Sequence, residues 1–154
     1  IRPHSLTHVE LPAHTQEAGA RLGPRHFHSQ LFHGKVLVLR LSGDFYKKLS
    51  DDVQHWIVTV DQIQARISAL GLSKLPTKIF ITTDNYFVNE QGYHDPKYVL
   101  TLSKEAADFL VSDPSFHLYG TSWKSSDYNP GKSERPIHNT LFSQAIILEN
   151  LDLR

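Results

Sequence analysis

Apolar runs separated by polar, turn-rich stretches predict buried β-strands. Residues 35–41 form an almost unbroken apolar run between Gly34 and the pair Ser42-Gly43, which is typical of a strand covered on both faces. Lys78–Thr83 follows Pro76 and is rich in β-branched and aromatic residues, so it predicts a second buried strand. Residues 115–119 and 145–148 complete the predicted set of strands.

Helical spacing appears between these strands. Ile63, Ile67 and Leu70 recur at the period of a helix over residues 61–70, and Gly71 is placed to end it. Ser103 can cap a helix over Lys104–Val111, with a glutamate favourably placed in its first turn. The chain has no internal repeat, heptad or dividing linker. We therefore predict one α/β domain over residues 1–154, with a mixed β-sheet core and flanking helices.

Composition narrows the function classes. The 154 residues include 40% hydrophobic side chains, and Lys plus Arg equal Asp plus Glu at 16 each. A formal net charge of zero argues against a nucleic-acid binder, which would normally carry a basic stripe. No apolar run approaches the roughly 20 residues that cross a bilayer, so we expect no membrane segment and a cytoplasmic location. The absence of cysteine excludes disulfides and thiolate chemistry.

The segment from His4 to His14 concentrates metal-ligand side chains. His4, His8, Glu10 and His14 are all even-numbered, so an extended backbone would project them to one side. A helix would turn Glu10 nearly opposite to His8. Pro12 also favours extended geometry just before it. Imidazole and carboxylate donors suit zinc, manganese or iron.

A fortuitous polar loop is the alternative, because the chain contains 10 histidines. Three others, His26, His28 and His33, also lie close together in the sequence but have no carboxylate at ligand spacing. We interpret these three as surface or loop residues.

A second segment near the other end of the chain strengthens the metal interpretation. His138 follows Pro136, and Glu149 lies in the apolar stretch that ends the chain. Together the two segments resemble the bacterial kynurenine formamidase and cyclase family, which also includes isatin hydrolase. That family carries H-x-G-T-H-x-D-x-P-x-H, then a Ser-x-Asp element, then a His before a helix and a Glu in a final strand. The matching residues are His4, Thr7, His8, Pro12, His14, Ser125, Ser126, Asp127, His138 and Glu149.

The resemblance implies a swivelling β/β/α fold and a metal-dependent amide hydrolase that uses one or two zinc or manganese ions. It implies that His4, His8 and Glu10 bind a first ion, and that His138 and Glu149 hold a second, with Glu10 as a further ligand. His14 matches the family's proton-transfer histidine. The substrate would be a small molecule, an aryl formamide such as N-formylkynurenine or a cyclic amide. Family members are typically oligomeric, so we also expect a homodimer or larger homo-oligomer.

Three positions depart from the family pattern. Leu6 replaces a glycine, and Glu10 replaces the metal-binding aspartate, whose side chain is one methylene shorter. The family's Gly-x-Asp turn reads Gly120-Thr121-Ser122 here, without the carboxylate. These changes put the metal count in doubt and keep a second interpretation open, a metal-binding or small-molecule-binding member without catalysis.

Two loops are candidate substrate walls. Residues 84–96 contain Tyr86 and Phe87, and residues 121–135 contain Trp123 and Asp127. Aromatic loops between strands often line pockets, although a surface loop or a turn would account for the same composition.

The family resemblance also implies a strand region ahead of the first histidine, so we expect that a natural N-terminal segment is missing before Ile1. A fragment that folds only within a dimer is a third possibility.

Overall fold

The predicted strand Lys78–Thr83 lies inside a five-stranded mixed sheet. The computed structural model describes residues 6–15, 27–85, 87–90, 92 and 95–154. Its strands in chain order are β1 (His8–Glu10), β2 (Leu37–Leu41), β3 (Lys47–Ser50), β4 (Val53–Val58), β5 (Lys78–Thr83), β6 (Tyr98–Leu102), β7 (Leu118–Thr121) and β8 (Ile146–Glu149). The larger sheet has the order β1-β8-β7-β5-β2. Its strands pair in parallel, except that β1 runs antiparallel to β8.

A second sheet of three strands has the order β3-β4-β6. Strands β4 and β6 are parallel, and β3 pairs antiparallel with β4. The hydrophobic pattern did not predict this sheet. Every residue of β3 is exposed, and β4 alternates between buried and more exposed positions. Neither β3 nor β4 contains a continuous apolar run. Strand β4 is recognisable as a strand only from its pairing with the distant β6.

Three helices complete the described fold: α1 (Val60–Ala69), α2 (Lys104–Val111) and α3 (Pro136–Leu141). Thr59 and Gln62 form a reciprocal capping box at the start of α1. Ser103 caps α2 by accepting the N–H of Ala106 at 3.1 Å. Both longer helices therefore lie within one residue of their predicted limits.

One side of the five-stranded sheet faces the hydrophobic core. Leu39 of β2, Ile81 of β5 and Tyr119 of β7 are buried there, together with Ile63 of α1 and Leu110 of α2. Cross-strand neighbours share a face, so the core side continues from Tyr119 to its partner on β8, Ile147. The same side carries the polar residues at the outer end of the sheet.

Three predicted strands have shifted limits, and one of them, predicted over residues 145–148, lies one residue later as β8. Strand β2 begins at Leu37 rather than at residue 35. The strand predicted over 115–119 lies at Leu118–Thr121, because Asp113 holds Ser115 in a turn through Ser115 N–H at 2.8 Å and its hydroxyl at 2.7 Å. Because of this turn, β7 begins three residues later than predicted.

The predicted fold class is confirmed: this is a small α/β domain with mixed sheets and flanking helices. Within the described ranges, no helix has the length and apolar character that crossing a bilayer requires.

Candidate metal centre

The pairing of β1 with β8 places His8 directly opposite Glu149. Directly opposed residues of an antiparallel pair project from the same face of the sheet. His8 Nε2 lies 3.5 Å from Glu149 Oε2. The register of two strands from opposite ends of the chain therefore creates the centre of the site.

Glu10 joins this pair because it lies two residues after His8 on the same extended strand. Its Oε1 is 2.9 Å from His8 Nε2, and its Oε2 is 3.3 Å from His14 Nε2. His14 reaches this position because a short 3-10 helix, Pro12–His14, folds back immediately after β1. One potential ligand atom from each of His8, Glu10 and Glu149 lies within 4.8 Å of the others.

His138 approaches the other oxygen of Glu149. Its Nε2 is 3.2 Å from Glu149 Oε1, and the backbone N–H of Ser126 donates to the same oxygen. The Nδ1 of His138 lies 2.7 Å from Asp127 Oδ2. Imidazoles and carboxylates therefore alternate in one connected row, in the order His14, Glu10, His8, Glu149, His138 and Asp127.

Burial and mutual contact set the electrostatics of this row. The hydrogen bond with Glu149 is the main reason that the pKa of His8 is raised to about 9. Burial alone would lower the pKa of His138, but hydrogen bonds with Asp127 and Glu149 outweigh it and raise that pKa to about 9. Burial alone would raise the pKa of Glu149, but hydrogen bonds from His138 and His8 lower it to about 2. The protein alone therefore stabilises an anionic Glu149 between two cationic imidazoles.

The donor set fits a divalent metal ion. His8 Nδ1 lies 2.8 Å from the carbonyl oxygen of Leu6, which can only accept a hydrogen bond, while His8 Nε2 faces two carboxylates. His138 is in the same situation, since both of its nitrogens face carboxylate oxygens. A neutral imidazole can donate from only one nitrogen. The second nitrogen of each ring therefore needs either a second proton or a cation between it and the carboxylate. Imidazole and carboxylate are ligands that suit a divalent ion such as zinc or manganese.

The structure places the remaining predicted residues as follows. His4 and Tyr86 lie outside the described residues, as does His26. Phe87 stacks on Tyr98 with 3.6 Å between ring centroids. Trp123 is buried in the hydrophobic core. Their contact with a substrate stays a prediction.

His28 and His33 are exposed, which confirms their interpretation as surface residues. The sequence analysis missed two backbone groups, the Leu6 carbonyl and the Ser126 N–H, that orient His8 and Glu149. No side-chain motif could have revealed them, because every residue type carries these groups.

Comparison with known proteins shows what this arrangement resembles. No protein-family model matches the chain, and no curated protein sequence matches it. Among solved structures, a protein described as a potential metal-dependent hydrolase with cyclase activity matches 100% of this chain with a TM-score of 0.66 and 20% sequence identity. The chain has the fold of this protein.

Two further solved structures agree. A protein described as a predicted metal-dependent hydrolase from Bacillus stearothermophilus aligns with 100% of this chain at a TM-score of 0.61 and 22% identity. Isatin hydrolase A from Ralstonia solanacearum aligns with 98% of this chain at a TM-score of 0.68 and 18% identity. This chain covers 65%, 64% and 60% of the three proteins, less than two thirds of each. The shared fold is the one that the family resemblance implied.

Proposed function

We propose that this chain is a metal-dependent hydrolase of the cyclase family that cleaves an amide C–N bond in a small molecule. The observation that carries the proposal is the convergence of His8, Glu10 and Glu149, with ligand atoms within 4.8 Å of one another. Strand pairing adds the distant Glu149 to the local pair of His8 and Glu10. The fold shared with proteins described as metal-dependent hydrolases supports the same interpretation.

In this proposal His8, Glu10 and Glu149 are the central ligands. His138 is a further ligand through Nε2, on the far side of Glu149. The family resemblance assigns His4 to the same centre. A divalent zinc or manganese ion held by these residues would lower the pKa of a bound water to about 7 and would polarise the substrate carbonyl.

His14 is the proposed proton carrier. Its side chain is 37% exposed, while the Glu10 side chain beside it is only 4% exposed, so His14 lies where the site opens to solvent. As the water oxygen bonds to the carbonyl carbon, His14 Nε2 takes the proton that the water releases. When the C–N bond breaks, the same nitrogen returns this proton to the leaving amine. The products are a carboxylic acid, which keeps the second proton of the water, and a neutral amine, so the proton count balances.

The carboxylates have separate roles. Glu10 contacts both His8 and His14, so it holds the proton carrier at a fixed distance from the centre. Glu149 is completely buried and contacts both His8 and His138. Its low pKa, about 2, keeps it anionic at any pH at which the protein would act.

Metal analysis combined with a hydrolysis screen tests the proposal. The purified protein is analysed for bound zinc and manganese, and is then assayed against aryl formamides, including N-formylkynurenine, and cyclic amides, including isatin. We expect one or two equivalents of metal and turnover of at least one amide that a chelator abolishes and added metal restores.

Bound metal without turnover on any amide would favour the alternative, a binding module that has lost catalysis. The substitution of the family aspartate by Glu10 is the feature that supports this alternative. A protein that binds no divalent metal would contradict the hydrolase and the metal-binding module, and would leave the small-molecule-binding module.

A further inference from the structure

Asp127 lies in the loop between β7 and α3, and its carboxylate is almost completely enclosed. The residue is 7% exposed, and its partner His138 is 1% exposed. The sequence alone suggested a substrate contact or a turn for this aspartate. Its position behind His138 indicates a different role.

Three donors of the chain itself occupy the two carboxylate oxygens. Oδ1 accepts the backbone N–H of Ile137 at 3.1 Å. Oδ2 accepts the backbone N–H of His138 at 2.9 Å and lies 2.7 Å from its ring nitrogen Nδ1. One carboxylate therefore binds both the backbone and the side chain of His138.

The two backbone contacts fix where α3 begins. No side chain caps this helix from Arg135, and Pro136 occupies its first turn without an N–H of its own. The first available N–H groups are those of Ile137 and His138, and Asp127 accepts both. The helix start, and with it the His138 backbone, is held by this carboxylate.

The ring contact fixes which imidazole nitrogen faces the candidate metal centre. A carboxylate accepts but does not donate, so Nδ1 of His138 must carry a proton. Nε2 then points to Glu149 Oε1, 3.2 Å away, where its lone pair would become available to a cation that displaces the second proton of the ring. Carboxylates that orient ligand histidines in this way are common behind metal sites.

We infer that Asp127 is a positioning residue, which holds the start of α3 and keeps Nδ1 of His138 protonated and bound, so that Nε2 is presented to the metal centre beside Glu149. This inference rests on the proposed function for the metal, but the orientation of the ring can be measured without metal. Because three donors of the protein bind the Asp127 carboxylate, we assign this side chain to the internal structure of the site and not to contact with a substrate.

Nuclear magnetic resonance of the metal-free, 15N-labelled protein tests the orientation. We expect the Nδ1 proton of His138 to give a downfield resonance that exchanges slowly with solvent, because it is buried and bound to a carboxylate. Asp127→Asn should shift this resonance upfield and speed its exchange, because an amide oxygen is a weaker acceptor. Asp113→Asn is the matched control, since the Asp113 carboxylate likewise accepts hydrogen bonds from a backbone N–H and a side chain, both of Ser115. The control should leave the resonance unchanged.

Zinc titration calorimetry supplies the second measurement. We expect Asp127→Asn to weaken zinc binding by about 10–100-fold, and Asp113→Asn to change it less than about twofold. If Asp127→Asn does not fold, Asp127→Ser is measured in the same way, since its hydroxyl can still accept one helix N–H.

The outcomes separate the two proposals. An unaltered His138 resonance and unaltered zinc affinity in Asp127→Asn, with only KM for an amide raised, would overturn the positioning role in favour of a substrate contact. A wild-type protein that lacks the slowly exchanging Nδ1 proton would also overturn it. A protein that shows this proton but binds no zinc would retain the positioning role and would lose the proposed function.

Discussion

His8 and Glu149 are cross-strand partners, with 3.5 Å between His8 Nε2 and Glu149 Oε2, although they come from the first and last strands of the described fold. The pairing depends on the register of β1 against β8. A shift of one residue would send the His8 side chain to the opposite face of the sheet. The candidate metal centre and the outer edge of the sheet are therefore one structural unit.

Glu149→Gln should weaken zinc binding by at least about 100-fold, which corresponds to about 2.7 kcal/mol. The amide keeps the size of the side chain and can still accept the Ser126 N–H, but it removes the charge that faces His8 and His138. Titration calorimetry on the metal-free protein measures the change. Glu105→Gln, which alters an exposed carboxylate in the first turn of α2, is the control and should bind zinc as the wild type does. Equal affinities for the two variants would remove Glu149 from the ligand set.

His14→Gln should lower kcat for the amide substrate by about 10²–10⁴-fold and leave zinc affinity within a few-fold of wild type. The physical reason is that His14 contacts Glu10 at the open side of the site, whereas His8 lies between the two glutamates. Steady-state kinetics and calorimetry on the same preparation separate the two effects. His33→Gln changes an exposed histidine and should alter neither quantity. Loss of zinc binding in His14→Gln would instead identify His14 as a ligand.

His55 should make the second sheet sensitive to acid. Burial lowers the pKa of His55 below its ordinary value of 6.5, and His55 Nε2 lies 2.8 Å from Thr101 Oγ1 on the neighbouring strand β6. Because the pKa of His55 is lower in the folded protein, the unfolded chain binds the proton more readily. The free energy of unfolding is therefore highest above about pH 6.5, and it decreases as the pH falls through the folded pKa.

His55→Gln tests this expectation. At pH 8 we expect it to reduce the free energy of unfolding by about 1 kcal/mol, because it disturbs the hydrogen bond to Thr101. At pH 5 the difference from wild type should shrink, because the wild type alone carries the cost of protonating a buried imidazole. Urea unfolding at the two pH values measures this difference. A difference that grows toward pH 5 would contradict the assigned direction of the pKa shift.

Gly120→Ala should destabilise the fold by about 1–3 kcal/mol, because a methyl group at this position of β7 would overlap the Phe80 ring and the Leu151 side chain. Phe80 is the direct neighbour of Gly120 on β5. Thermal and urea unfolding measure the loss. The double variant Phe80→Ala/Gly120→Ala is the matched comparison, and its loss should be smaller than the sum of the two single losses. Additive losses would show that the two side chains do not compete for the same space.

Helices α1 and α2 and the interior strand β5 could be predicted from local sequence. Helix α2 begins after Ser103 as expected, because a cap needs only its own hydroxyl and the N–H of Ala106. Strand β5 has its predicted limits because a β-branched apolar run is buried in most sheet environments. The second sheet was not predicted, because Val53–Val58 pairs with Tyr98–Leu102 across a long stretch of sequence.

The sequence by itself determined the types of ligand and their common face on an extended segment, since side chains alternate along a strand whatever its partner. It also indicated that Glu149, within an apolar strand, needs a polar partner. Only the tertiary structure decided which groups meet. The β1–β8 register joins His8 to Glu149, and the start of α3 turns His138 between Glu149 and Asp127. Such contacts depend on strand pairing and helix placement between distant parts of the chain, for which local sequence carries no geometric information.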